Sequence, residues 1–178
     1  SQIMENWANE PSVIRLFAKH YQTGEPMPDS LIAKMKNSSL FNQGFATVEF
    51  LAAAILDMEY HKVSEVSDID VNAFEKAAMD KIGLINEIAP RYRSTYFGHI
   101  FAGSYAAGYY VYYWAAVLDS DAFDYFKQSG DIFNKELANS FRINCLQECG
   151  NDDGMVQYIK FRGQEPSTEP FLKRHGLK

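Results

Sequence analysis

The sequence predicts an all-α protein. Apolar residues recur at the spacing of helices along nearly the whole chain, and no stretch shows a convincing alternation of period two. The 178 residues are 47% hydrophobic and 22% charged, which is typical of a folded domain. This length supports one sizeable core and is short for two, so residues 1–178 are expected to form a single helical domain.

The first half of the chain is predicted to hold five helices, separated by Gly- and Pro-containing loops and by polar residues that can cap a helix. Asp29 or Ser30 is expected to cap the third helix, Ser38 and Ser39 the fourth, and Asp70 the fifth. The five helices are expected at about residues 1–7, 11–20, 30–36, 40–59 and 71–90.

The fourth helix is apolar nearly all round. One stripe runs from Phe41 to Ile55, and Phe50, Leu51 and Met58 fill much of the remaining surface. A helix with this pattern is expected to be buried. Because it needs cover on several sides, we also expect an exposed apolar area where a further part of the protein packs.

The second half begins with an aromatic segment. Residues 92–126 hold half of the aromatic residues, interrupted at intervals of five by Gly98, Gly103 and Gly108. This pattern predicts a loop to about Ser104, followed by a long helix that ends before Gly130. The helices of this half are expected at about residues 105–128, 134–148, 153–161 and in a short piece beyond 166.

Composition excludes several classes of protein. The net charge is −6, the sequence pI is about 5.2, and the basic residues are scattered, which argues against a nucleic-acid partner. No run of 18 apolar residues occurs, so no membrane partner is expected. The chain has two cysteines, and it contains neither a His-Glu-x-x-His motif nor a phosphate-binding loop.

Three tyrosines are the first candidates for chemistry. Tyr105, Tyr109 and Tyr112 follow the i, i+4, i+7 spacing that places side chains on one helix face. A phenol has a reference pKa of about 10 and is therefore a neutral hydrogen-bond donor at physiological pH. Such donors suit the binding of peptide carbonyls or of a developing oxyanion. His99 precedes them across the glycine loop and could converge on the same point.

Other interpretations of this stripe stay open. An aromatic stripe at helical spacing is usually core, although a buried tyrosine hydroxyl needs a partner and Gly103 and Gly108 allow a close approach of the backbone. The stripe could also be the interface of a non-catalytic helical interaction module. A third possibility is a ligand-binding protein that uses the tyrosines as stacking platforms.

Four segments resemble a known family. Residues 97–114, FGHIFAGSYAAGYYVYYW, are similar to the glycine–tyrosine segment of the thimet oligopeptidase family, nearest its bacterial peptidyl-dipeptidase branch. Residues 1–7, SQIMENW, resemble the segment just after the third zinc ligand of that family. Residues 41–49 and 161–177 also match in order, so the resemblance covers essentially the whole chain.

The resemblance implies the C-terminal part of a cytoplasmic zinc metallopeptidase that hydrolyses short peptides in a deep, helix-walled channel, a zincin-like enzyme. In that family two His and one Glu bind zinc, and the Glu of the His-Glu-x-x-His motif activates water. All of these residues lie before Ser1 in the family pattern. We therefore expect residues 1–178 to bind no zinc, to be inactive alone, and to have the N-terminal part of the same protein as a partner.

The resemblance also implies residue roles. Tyr112 corresponds to a catalytic tyrosine that donates to the tetrahedral intermediate, and His99 to a catalytic histidine near the scissile bond. Tyr105 and Tyr109 correspond to tyrosines that face the substrate backbone or its C-terminal end.

Three further positions complete the expected site. Gly103 and Ser104 occupy the loop in which the family usually has a glycine pair, and are expected to border the substrate. Ser104 departs from that pattern. Glu5, one of the acids set in an apolar stretch, is expected to lie near the metal site of the parent protein.

Overall fold

The computed structural model describes residues 2–65 and 68–178, and Ser1, Val66 and Ser67 lie outside the described residues. The expected start of the first helix at residue 1 therefore falls outside this description. The all-α prediction is confirmed: in the described residues, extended pairing is limited to one isolated bridge between Lys19 and Pro26. The helices are α1 (Gln2–Ala8), α2 (Pro11–Phe17), α3 (Asp29–Ser38), α4 (Gln43–His61), α5 (Val71–Lys81), a 3₁₀ turn (Ser94–Tyr96), α6 (Gly98–Phe101), α7 (Val111–Gln128), α8 (Lys135–Phe141), a π-helical stretch (Arg142–Gln147), α9 (Gly154–Arg162) and α10 (Glu169–Arg174).

The chain divides into two compact units. The central unit is Phe41–Tyr113, and the terminal unit combines Ser1–Leu40 with Trp114–Lys178. The single domain expected for residues 1–178 stays a prediction beside this division. Among the described residues, no single helix is long and apolar enough to cross a membrane, although α3 and α4 taken together pass by length and composition.

Helix starts agree with the sequence at α5 and differ at α3 and α4. The Asp70 carboxylate accepts hydrogen bonds from the backbone N–H groups of Asn72 and Ala73, in the first turn of α5. The predicted cap of this helix is therefore confirmed. Asp29 is the first residue of α3 and not its cap. The expected cap by Ser38 and Ser39 is wrong, because both hydroxyls donate to carbonyls three residues earlier.

Two helices end earlier than expected. α5 stops at Lys81 and not near Pro90, because Gly83 takes a left-handed φ of 68° and Leu84 N–H donates to the carbonyl of Met79. α2 stops at Phe17, because the backbone of residues 18–20 pairs with residues 25–27 across the following loop.

The core of the central unit forms around the second half of α4. The small residues Ala52, Ala53 and Ala54 and the neighbouring Leu56 are buried, and they pack against α5 and against the segment around Phe97. Other positions of α4 are exposed, so the expectation that it is buried all round is wrong. Large apolar side chains are exposed along α4 and just before its start, which agrees with the expected exposed apolar area. They are Phe41, Phe45, Val48, Leu51 and Met58.

The terminal unit has its own core, in which aromatic rings from α1, α7 and α9 meet. Trp7 lies edge-on to Phe126, with ring centroids 5.1 Å apart. Below them, the buried carboxylate of Asp121 accepts hydrogen bonds from the Tyr158 hydroxyl at 2.6 Å and from Arg162 Nε at 3.0 Å. Burial and then this carboxylate hold the pKa of Tyr158 far above its usual range.

Candidate functional site

The segment between α6 and α7 is not helical, which corrects the expectation of a helix from about residue 105. α7 begins at Val111, and residues 102–110 form a series of turns, called the tyrosine loop below. Ala107 in this loop has a φ of 52°, a left-handed conformation that an α-helix does not contain. Gly108 N–H closes a turn onto the carbonyl of Tyr105 at 2.8 Å. Tyr105 and Tyr109 therefore lie in a loop, and only Tyr112 lies on the helix.

The loop nevertheless brings the predicted side chains together. The rings of Tyr105 and Tyr112 stack with centroids 5.1 Å apart, and Tyr109 lies edge-on to Tyr112 at 5.2 Å. The His99 ring is 6.0 Å from Tyr105, 5.6 Å from Tyr109 and 6.4 Å from Tyr112. These four residues are called the His–Tyr cluster. Their proximity depends on the turns of the loop, and not on one helix face.

Tyr109 is the buried member of the cluster. Its side chain is only 2% exposed and stacks on Phe50, with ring centroids 4.9 Å apart. Burial raises the pKa of Tyr109, and the nearby Arg91 partly opposes this rise through its charge and a side-chain hydrogen bond. The packing interpretation therefore holds for Tyr109, whose ring is part of the core of the central unit.

Tyr112 carries a phenol that stays protonated and neutral at physiological pH. A side-chain hydrogen bond with Tyr105, followed by burial, raises the pKa of Tyr112 to about 12. Both side chains are only partly buried and pack at the edge of the core of the central unit. A phenol with this pKa stays protonated at physiological pH and can donate a hydrogen bond to a carbonyl oxygen or an oxyanion.

Gly103 shapes the loop from inside. A Cβ atom on Gly103 would lie 2.7 Å from the carbonyl oxygen of His99, which is closer than such atoms approach. The same carbonyl accepts the N–H of Tyr105 at 3.2 Å. The glycine at position 103 thus allows a close approach between two parts of the backbone of this chain. Ser104 is exposed and has no left-handed φ, so a serine fits the backbone at this position.

Glu5 lies in α1, in the terminal unit, and its side chain is exposed. Its expected role near a metal stays a prediction. Across residues 2–65 and 68–178, no group of three or more His, Cys, Asp or Glu side chains is arranged to hold a metal ion. The part of the chain that the structure describes thus offers no metal-ligand set beside the His–Tyr cluster.

The family model described as Peptidase family M3 matches residues 1–177. The chain belongs to Peptidase family M3. Dipeptidyl carboxypeptidase of Escherichia coli (strain K12) is 42% identical over 183 residues, which cover 99% of this chain and 26% of that protein. The dipeptidyl carboxypeptidase of Salmonella typhimurium is 41% identical over 179 residues, with the same two shares.

A second group of M3 relatives is less similar. Oligopeptidase A of Escherichia coli (strain K12) is 36% identical over 183 residues, which cover 100% of this chain and 26% of that protein. The resemblance to the thimet oligopeptidase family, and within it to the peptidyl-dipeptidase branch, is therefore confirmed. The chain spans about a quarter of the length of these relatives.

A buried acid of this M3 chain, Asp57, is not among the residues predicted from the sequence. Asp57 is fully buried in α4, and its carboxylate accepts N–H groups of the tyrosine loop. His61, one helical turn later, lies 2.8 Å from that carboxylate. The signal was present in the sequence: Asp57 follows the apolar run of residues 50–56, and His61 stands at i+4. An acid in such a run needs a partner that the fold brings to it.

Proposed function

We propose that this chain is the C-terminal, substrate-binding part of a zinc metallopeptidase that hydrolyses short peptides, of the peptidyl-dipeptidase or oligopeptidase type. The observation that carries the proposal is the His–Tyr cluster. In a member of Peptidase family M3, it brings the rings of three tyrosines within 6.4 Å of the His99 ring, measured between ring centroids. Membership supports the reaction class, and the cluster supports a location for the substrate.

In this proposal Tyr112 stabilises the transition state. When water adds to a peptide carbonyl, negative charge develops on the carbonyl oxygen, and a positioned neutral donor stabilises that charge. The raised pKa of about 12 keeps the Tyr112 phenol in its donor form. His99 and Tyr105 then bind the substrate near the scissile bond, and Tyr109 supports them from the core. Gly103 and Ser104 border the substrate along the loop.

In this proposal, zinc is bound by the part of the parent protein that precedes residues 1–178. Because the described residues of this chain offer no ligand set, we assign neither the metal nor the general base to residues 1–178. Zinc, when bound in the parent protein, would supply electrophilic assistance. The chain alone is proposed to be inactive, with the preceding part of the same protein as its partner. We place this enzyme in the cytoplasm, and Glu5 near its metal site.

The test is a peptide-cleavage assay with the full-length protein that contains this chain. We expect short unblocked peptides to be cleaved, and mass spectrometry of the products distinguishes release of C-terminal dipeptides from internal cuts. A set of peptides with amidated C-termini is the matched control, because release of a C-terminal dipeptide is expected to depend on the terminal carboxylate, whereas internal cleavage is not. Absence of any cleavage by zinc-loaded full-length protein would remove the proposal. Residues 1–178 alone should give no products.

A further inference from the structure

Asp57 connects α4 to the tyrosine loop by backbone hydrogen bonds. One carboxylate oxygen accepts the N–H of Ala107 at 2.9 Å, and the other accepts the N–H of Tyr109 at 2.8 Å. The Asp57 side chain has no solvent exposure. Each of its oxygens therefore accepts a hydrogen bond from the loop, and bulk water does not reach the carboxylate to replace these donors.

His61 lies against this carboxylate from the same helix. Its Nδ1 atom is 2.8 Å from the Asp57 carboxylate and 2.8 Å from the Asp57 carbonyl oxygen. In the tautomer with a proton on Nδ1, His61 gives Asp57 a third donor, and the N–H of Ala107, which is also directed at Nδ1 at 3.3 Å, then bonds to the carboxylate alone. The Asp57 carboxylate is thus oriented by a residue of its own helix as well as by the loop.

The bonded positions are the ones where the loop departs from a helix. Ala107 takes the left-handed conformation, which is disfavoured for a residue with a side chain and persists only where neighbouring groups hold it. A buried carboxylate is costly unless it is hydrogen-bonded, so Asp57 and the two amides need each other. Between these amides the chain turns, and this turn sets Tyr105 against Tyr112.

We propose that Asp57, oriented by His61, is a positioning residue for the peptidase site. By binding the amides of Ala107 and Tyr109, it fixes the tyrosine loop in the conformation that assembles the His–Tyr cluster. Asp57 touches no substrate and acts through the backbone of the loop. This inference rests on the proposed function for its effect on catalysis, whereas its effect on the loop is independent of that function.

The first experiment replaces Asp57 in the full-length protein by a residue of nearly the same volume. In Asp57→Asn one oxygen becomes an NH₂ group that faces a backbone N–H, so one hydrogen bond is lost and two donors oppose each other. We expect amide hydrogen exchange in peptides spanning residues 102–110 to rise by tenfold or more. Exchange in α9 should stay unchanged, and kcat/KM should fall by tenfold or more on a short peptide.

Asp121→Asn is the matched control. Asp121 is as deeply buried as Asp57, but its carboxylate accepts bonds from the side chains of Tyr158 and Arg162 in the terminal unit. This variant should lower the unfolding midpoint without selectively raising exchange in the tyrosine loop. If Asp57→Asn instead raises exchange in α9 as much as in the loop, Asp57 supports only general stability and the proposal fails.

The His61 pair tests the same idea without removing the carboxylate. His61→Asn retains an N–H donor near the position of Nδ1 and should keep loop protection and kcat/KM within about threefold of wild type. His61→Leu retains bulk without a donor and should raise exchange at residues 102–110. Equal exchange and equal kcat/KM in both variants would overturn the proposal, even if Asp57→Asn does not fold. If wild type cleaves no peptide, the proposed function fails, and the exchange measurements still decide the positioning role.

Discussion

Replacing Tyr112 by phenylalanine removes one hydroxyl and leaves the ring. The ring would still stack on Tyr105, at 5.1 Å between centroids, and would still lie edge-on to Phe50 at 5.9 Å. The lost hydrogen bond is the one with Tyr105, whose side chain is only partly buried, so water can replace the missing partner. One such bond contributes about 1 kcal/mol, so the free energy of unfolding should change by no more than that.

The effect on catalysis should be much larger. Loss of one donor to a developing oxyanion commonly reduces turnover about a hundredfold to a thousandfold, or roughly 2.7–4 kcal/mol. Because this interaction forms mainly in the transition state, kcat should fall with little change in KM. Tyr105→Phe should act more on KM, since its proposed partner is the ground-state substrate.

The raised pKa of Tyr112 adds a pH signature. The donor is the protonated phenol, so its contribution is present below the pKa and is lost as the pH rises through about 12. An unperturbed phenol would lose its proton near a pH of about 10. The ratio of wild-type to Tyr112→Phe kcat should therefore stay constant from about pH 7 to pH 10.

The assay is steady-state hydrolysis of a short peptide by the full-length protein, with the unfolding midpoint measured in parallel. Tyr110→Phe is the matched control, because Tyr110 is 55% exposed, lies two residues before Tyr112 at the end of the tyrosine loop and has no proposed role. It should change neither kcat nor KM appreciably. A Tyr112→Phe variant with near-normal kcat would show that the oxyanion assignment is wrong, and the tyrosine stripe would then be packing alone.

Gly103→Ala should lower kcat and cost about 1–3 kcal/mol of stability, because the new Cβ atom would lie 2.7 Å from the His99 carbonyl oxygen. Gly98→Ala is the control: its Cβ atom would have no neighbour within 4 Å, so it should change neither the melting temperature nor kcat. Burial acts to raise the pKa of Glu75, but hydrogen bonds from a serine and an arginine outweigh it and hold the pKa below the usual range of a glutamate. The contribution of Glu75 to the free energy of unfolding should therefore be complete above the pKa that Glu75 has in the unfolded state, and should be lost as the pH falls through its lower pKa in the folded state. If Glu75→Gln and wild type lose stability in parallel during an acid titration, this prediction is wrong. Asp70→Ala removes a helix cap and should cost about 1 kcal/mol in urea denaturation, whereas Asp70→Ser should recover most of it.

The sequence determined the helical class, the cap at Asp70 and the general course of the helices, because these depend on local spacing and on capping residues. It also placed His99, Tyr105, Tyr109 and Tyr112 together as candidates. Their segment carries its own pattern of glycines and phenols, which the family resemblance shares.

Only the tertiary structure decided how those residues meet. Local spacing favoured a helix through residues 105–110, yet the chain turns there. The reason lies 50 residues earlier, in a buried carboxylate that binds the amides of Ala107 and Tyr109. The position of Asp57 after an apolar run marks it as an acid that needs partners, but no local pattern shows which backbone groups it will meet. Likewise, the periodicity of α4 could not tell its buried alanines from its exposed apolar residues, since all are apolar and only the packing partners differ.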